Sequence, residues 1–166
     1  MKAYKSILPC ILFALAITAS HSSQAQETRK SREQAKEVKM RDLIESQNYV
    51  FKAQTVLPMR GRTRQLTTDY DLAVSPDTLQ AYLPYFGRAY SAPMDPSKGG
   101  IRFTSVKFDY TQTARKKGGW SILIKPKDVE EIQQLVLSVS NSGYGTLQVI
   151  STQRDPISFT GYIAKK

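Results

Sequence analysis

Beyond residue 25 the sequence contains neither cysteine nor histidine; Cys10 and His21 are the only ones in the chain. Without imidazole or thiol, that stretch holds no Ser-His-Asp or Cys-His nucleophilic centre. Zinc, copper and non-haem iron sites, which rely on those ligands, are close to excluded. What remains is chemistry by carboxylate pairs, a Ser-Lys arrangement, a Tyr or Lys acid/base, or oxygen-only Ca²⁺ binding. No Ser-Lys motif is recognisable, and no residue set asks for a cofactor or metal. With the usual catalytic groups missing, the expectation is a binding protein and not an enzyme.

Long hydrophobic runs are scarce too. The one that exists, Ile7 to Ala19, is about 13 residues, short of the roughly 17–25 that span a bilayer. Lys2 and Lys5 precede it, and Ser23-Gln24-Ala25 offers small residues at the positions a signal peptidase reads. Residues 1–25 are therefore expected to be a signal peptide, leaving no transmembrane span after cleavage. Cys10 lies inside the apolar run and not at the cleavage point, which argues against a lipid anchor through it. Export without disulfides fits a periplasmic or secreted protein of a Gram-negative envelope.

Negative charge is also in short supply. Removing Lys2 and Lys5 from the 24 cations leaves 22 against 14 carboxylates, a net charge of +8. Outside the cytoplasm the natural anionic neighbours are lipid and acidic glycan, not nucleic acid. The 141 residues left after cleavage at Ala25 suit one domain with its own core.

What is present is mostly strand pattern. Residues 26–47 form a polar segment and helix, with Ser31 and Gln34 spaced as a capping box, Glu37 and Arg41 four apart, and Asn48 as the stop. From residue 48 to 166 a single antiparallel β domain is expected. Tyr49, Phe51, Ala53 and Leu57 share one face of a strand, as do Leu66, Tyr70, Leu72 and Val74 of the next. Asp77 is spaced to cap a short helical turn through Leu79 and Tyr82. Ile101 and Phe103 alternate, after which the apolar phase shifts by one to Val106, Phe108 and Tyr110, the mark of a bulge or corner. Arg115 to Gly119 is a hairpin tip. Trp120, Ile122 and Ile124 follow, then Leu135, Leu137 and Val139, with Asp128 spaced to cap a helical turn between them. Leu147 and Val149, and Ile157 to Ile163, complete the set. Short strands with glycines kept almost wholly to the turns signal a meander that must remove its edges. The expected fold is mainly β, closing into a lipocalin-like barrel or, alternatively, a β-sandwich, preceded by one N-terminal helix.

The stretch Leu83-Pro84-Tyr85-Phe86-Gly87-Arg88-Ala89-Tyr90 resists regular structure. Pro84 removes a donor and restricts Leu83, and Gly87 permits positive φ. Two roles are open to it. As a lip, Tyr85, Phe86 and Tyr90 would line a barrel mouth with Arg88 facing an anionic head group of a small apolar or amphipathic ligand. As a plug, the same aromatics would close the barrel end. Arg60, Arg62 and Arg64 in one loop, and Arg115, Lys116 and Lys117 at a hairpin tip, are candidate contacts for anionic envelope lipid, glycan or a protein partner. Asp69 and Asp71 read as an exposed polar strand face, since same-face strand neighbours stand too far apart for a retaining glycosidase pair.

With these residues in view, the chain resembles a bacterial envelope family known as domain of unknown function 4251. The resemblance rests on Tyr49-Val50-Phe51 after a helix, the Leu83–Tyr90 run, Gly99-Gly100-Ile101 with Phe103, Gly143, Arg154, and Ile157-Ser158-Phe159 with Gly161. It covers nearly all of the chain after the signal. It implies a lipocalin-like fold in a secreted or lipid-anchored protein. It carries no established activity, so no catalytic residue follows from it.

Overall fold

The computed structural model describes residues 30–90 and 99–166. The expected signal peptide and most of the loop from Pro93 to Gly100 lie outside the described residues. The chain divides into two compact units, Met1–Lys36 and Glu37–Lys166. The described part of the first is helical, residues 30–36, and that helix, α1, runs on in the second unit to residue 45. Lys30 is already helical, so Ser31 sits within the helix and does not cap it.

Among the described residues the second unit has nine antiparallel strands: β1 (Tyr49–Pro58), β2 (Arg64–Val74), β3 (Leu79–Leu83), β4 (Ile101–Ser105), β5 (Phe108–Ala114), β6 (Trp120–Pro126), β7 (Ile132–Val139), β8 (Tyr144–Ser151) and β9 (Ile157–Lys165). They form one sheet in the order β4-β3-β2-β1-β9-β8-β7-β6-β5. The first and last strands of the chain thus pair at its centre. Neighbouring strands rotate by about 20–25°, so eight steps curl the sheet into a nearly closed barrel. Its two edge strands, β4 and β5, are separated in the chain by only Val106 and Lys107. One bent run of chain therefore supplies both edges. The corner is held by Asp128, whose carboxylate accepts the Ser105 hydroxyl and the amides of Val106 (2.9 Å) and Lys107 (3.3 Å).

The period-two pattern explains the core. Tyr49, Phe51, Leu72, Val74, Ile122, Ile124, Leu135, Leu137, Leu147 and Phe159 are all fully buried. Met40 and Ile44 of α1 join the same core. The Tyr110 hydroxyl donates to the Ile44 carbonyl at 3.3 Å and stands 3.3 Å from the Tyr49 hydroxyl. Burial raises the Tyr49 pKa well above the usual phenol value. The helix ends through Gln47, whose φ of 50° is left-handed and whose amide donates to the Ile44 carbonyl; the chain has turned before Asn48.

Four expectations are corrected. Leu79 to Leu83 is strand β3 and not a helical turn capped by Asp77, because a fully buried Leu79-Ala81-Leu83 face pairs with both β2 and β4. Asp128 caps no helix; its carboxylate is taken by the corner. Val106 is exposed, since the corner turns it out of the phase of Phe108 and Tyr110. Gly145 and Gly161 lie inside β8 and β9, not in turns. They stand opposite each other, and a Cβ on Gly161 would lie 1.9 Å from the Lys52 carbonyl oxygen.

Candidate functional site

The Leu83–Tyr90 run folds back across the turn between β8 and β9. Ala89 bridges to Arg154 in antiparallel fashion. The Tyr90 amide donates to the Gln153 carbonyl at 2.8 Å, and the Asp155 amide to the Arg88 carbonyl at 3.0 Å. The Tyr85 hydroxyl donates to the Arg88 carbonyl at 2.7 Å and lies 3.1 Å from the Asp155 carbonyl. The Tyr90 hydroxyl donates to the Asp155 carboxylate, and that contact raises the Tyr90 pKa. Burial, with Asp155 nearby, raises that of Tyr85. Gly87 is not in a positive-φ conformation. It is needed for space: a Cβ there would lie 2.5 Å from the Tyr85 hydroxyl. The spacing Tyr-Phe-Gly thus lets the Tyr85 ring tuck under its own backbone.

Arg154 anchors this strap from below. Its side chain is 7% exposed and pairs with Glu131 at 2.9 Å. Its guanidinium donates to the carbonyls of Gly99 (3.1 Å) and Gly100 (3.3 Å) and lies 5.1 Å from the centre of the Tyr85 ring. One fork of donors therefore ties three loops together. Beneath them a cavity of about 50 Å³ is lined by Tyr85, Phe103, Val129, Val149 and Arg154 among others. That is room for a few waters.

Of the four residues expected to bind a ligand, the structure turns only Tyr85 to this cavity. Phe86 (41% exposed) and Tyr90 (67%) are on the surface, as is Arg88. Here they meet the other predicted set. The Arg64 guanidinium lies over the Phe86 ring, 4.9 Å from its centre, and Arg60 and Arg88 are both close enough to Tyr90 to favour its ionised form. Leu57 at the end of β1 and Met59 in the β1–β2 turn are exposed beside them. Arg115, Lys116 and Lys117 are not part of this cluster. Following the antiparallel pairings from β1 through β9, β8 and β7 to β6, their turn falls at the opposite end of the sheet. The Asp71 carboxylate is taken by Lys52 at 3.0 Å, as a polar outer face requires.

The family model described as Domain of unknown function (DUF4251) matches residues 31–163. The chain belongs to this family. The match takes in the whole strap and its Arg154 anchor. A crystal structure of a DUF4251 family protein from Bacteroides eggerthii DSM 20697 is similar to it, with a TM-score of 0.57 and 14% identity over 79% of this chain and 88% of that one. At that identity the likeness speaks for the fold. No curated protein matches.

The DUF4251 sheet also carries an outer row that sequence reading missed. Register aligns Tyr144, Tyr162, Lys52, Asp71, Tyr82 and Arg102 across six strands. Tyr82 is occupied, stacked on Tyr70 at 5.3 Å with Arg102 over its ring at 4.5 Å. Tyr144 and Tyr162 are exposed. Each strand shows its own alternation, but no single strand reveals which outward residues become neighbours. Among the described residues, no three His, Cys, Asp or Glu side chains stand together as a metal site.

Proposed function

We propose that this DUF4251 protein is an exported, non-enzymatic module that docks on anionic lipid head groups through its Arg60–Arg64 and Phe86–Tyr90 end. The observation that carries this reading is the Arg64–Phe86 stack, which joins two loops into one surface of exposed aromatics and arginines. Such a surface suits a lipid boundary. The rings and Met59 enter the head-group region, and each arginine near an anionic surface contributes about 1 kcal/mol. A ligand held inside the barrel has less support. The inward faces are filled by core side chains, and the cavity of about 50 Å³ is far below the roughly 300–1,000 Å³ typical of small-molecule sites.

Sedimentation with vesicles tests the reading. The purified protein is expected to bind vesicles of phosphatidylcholine with phosphatidylglycerol, not phosphatidylcholine alone, and to release as salt rises. Replacing Arg60, Arg62 and Arg64 by Gln should abolish the binding, and Phe86→Ser should weaken it without changing its salt dependence. Equal binding to both vesicle types, or a triple variant that binds like the parent, rejects the reading.

A further inference from the structure

A second surface lies away from this end. A shallow, open cleft of about 400 Å³ lies on the outer face where β1, β9, β8 and β7 run side by side. Two features of the sequence shape the sheet at this place. The first is the pair Gly145 and Gly161, opposite each other on adjacent strands. A Cβ on Gly145 would lie 2.6 Å from the Ser138 carbonyl oxygen, and one on Gly161 still closer to that of Lys52, so the strands pack closely here; both glycines are in phase with the inward Leu147, Val149, Phe159 and Ile163, which leaves the outer face to Tyr144, Thr146 and Thr160. The second is a bulge in β1: pairing with both β2 and β9 slips between Ala53 and Thr55. The residue skipped is Gln54, which lines the cleft. A bulge re-aims a side chain that the regular pleat would have sent elsewhere.

The lining has one chemical character. Gln54, Ser138, Thr146 and Thr160 bring amide and hydroxyl groups, Tyr144 brings an aromatic ring, and Arg115 a cation. No carboxylate lines the cleft among the described residues. Tyr144 is 64% exposed, so its ring is open to a ligand, and Tyr162 stands directly opposite it on β9, extending the aromatic surface. Neutral donors and acceptors match sugar hydroxyls. The electron-rich face of a tyrosine ring accepts the C–H face of a pyranose. An arginine fork matches a carboxylate. We propose that this cleft binds a uronic-acid-bearing polysaccharide, with a pyranose on Tyr144, its hydroxyls on Gln54, Thr146 and Thr160, and its carboxylate on Arg115. The site is separate from the lipid-facing end and stands without it.

Calorimetric titration of the whole protein with a galacturonic acid tetrasaccharide, beside a neutral galactose tetrasaccharide, tests this. Saturable binding of the acidic sugar is expected, with the neutral one at least tenfold weaker. Tyr144→Ala, a surface change that leaves the core intact, should weaken the acidic sugar tenfold or more. Arg115→Gln should bring acidic and neutral sugars to the same affinity. The triple Arg60, Arg62, Arg64 variant should bind the sugar as the parent does, even where vesicle binding is lost. Absence of saturable binding, a neutral sugar bound equally well by the parent, or an unchanged affinity in Tyr144→Ala overturns the proposal.

Discussion

Replacing Arg154 by Met asks whether one buried guanidinium holds three loops. Met keeps much of the apolar stem but none of the donors. The carbonyls of Gly99 and Gly100 lose their partner at 3.1 and 3.3 Å; a hydrogen bond to a charged group contributes about 1.5–3 kcal/mol. The ion pair adds less, because Glu131 is 46% exposed and recovers water when the arginine goes; about 1 kcal/mol is appropriate. Loss of the contact with the Tyr85 ring costs about 1 kcal/mol more. Allowing for packing regained by Met and for coupling among these contacts, the expected cost is about 4 kcal/mol, or a fall in Tm of roughly 10–15 °C for a domain of this size. Urea unfolding measures it. Hydrogen exchange supplies a local reading: the Tyr90 amide, bonded to Gln153, should lose protection beyond the global loss of stability. Glu131→Gln, by contrast, should cost about 1 kcal/mol or less. If the two variants cost the same, or if Arg154→Met falls within 1 kcal/mol of the parent, the carbonyl ties are not what secures the strap.

Other perturbations follow from single positions. Gln47→Gly relieves a left-handed residue at the end of α1 and should stabilise by about 0.5–1 kcal/mol, the gain being trimmed by a freer unfolded chain; thermal melting shows it. Gly161→Ala forces β1 and β9 apart, because the clash is with backbone, and should cost about 3 kcal/mol in urea unfolding, the upper part of the overpacking range. Asp128 is held below its ordinary 3.8, first by the Ser105 hydroxyl and then by the Val106 amide. A depressed carboxylate stabilises the fold fully above its unfolded pKa and loses that contribution as pH falls through the folded one. Asp128→Asn should therefore melt lower than the parent at pH 7, and the gap should narrow in acid below pH 3.8; a gap constant across that range contradicts the assignment.

Alternation made most strands legible, because burying one face imposes period two on the residues themselves. The corner at residues 106–107 was legible for the same reason, as a break in phase. Leu79-Gln80-Ala81-Tyr82-Leu83 alternates equally well, but its five residues are also compatible with a turn of helix, and only its pairing with β2 and β4 decides. The strap was visible as an irregular run. Its clamp to Arg154 and Asp155 was not, since those residues are some 65 positions away along the chain. Gln54 as a bulge, the Gly145–Gly161 pair and the Tyr144–Tyr162 neighbourhood all depend on register between strands, which no local pattern encodes. Exposed Tyr144 gave no signal of its own beside the other tyrosines.

The pairing of β1 with β9 bears on how the polypeptide is made. Tyr49 meets Lys165, and Pro58 meets Ile157, so β1 must wait through the synthesis of the seven strands between for its partner β9. Until residues 157–165 have left the ribosome, β1 lacks one of its two neighbours and the core lacks Phe159 and Ile163. Contacts of such long sequence separation form slowly. The earlier strands thus wait for β9, and a chain stopped before Ile157 should have no folded state to reach.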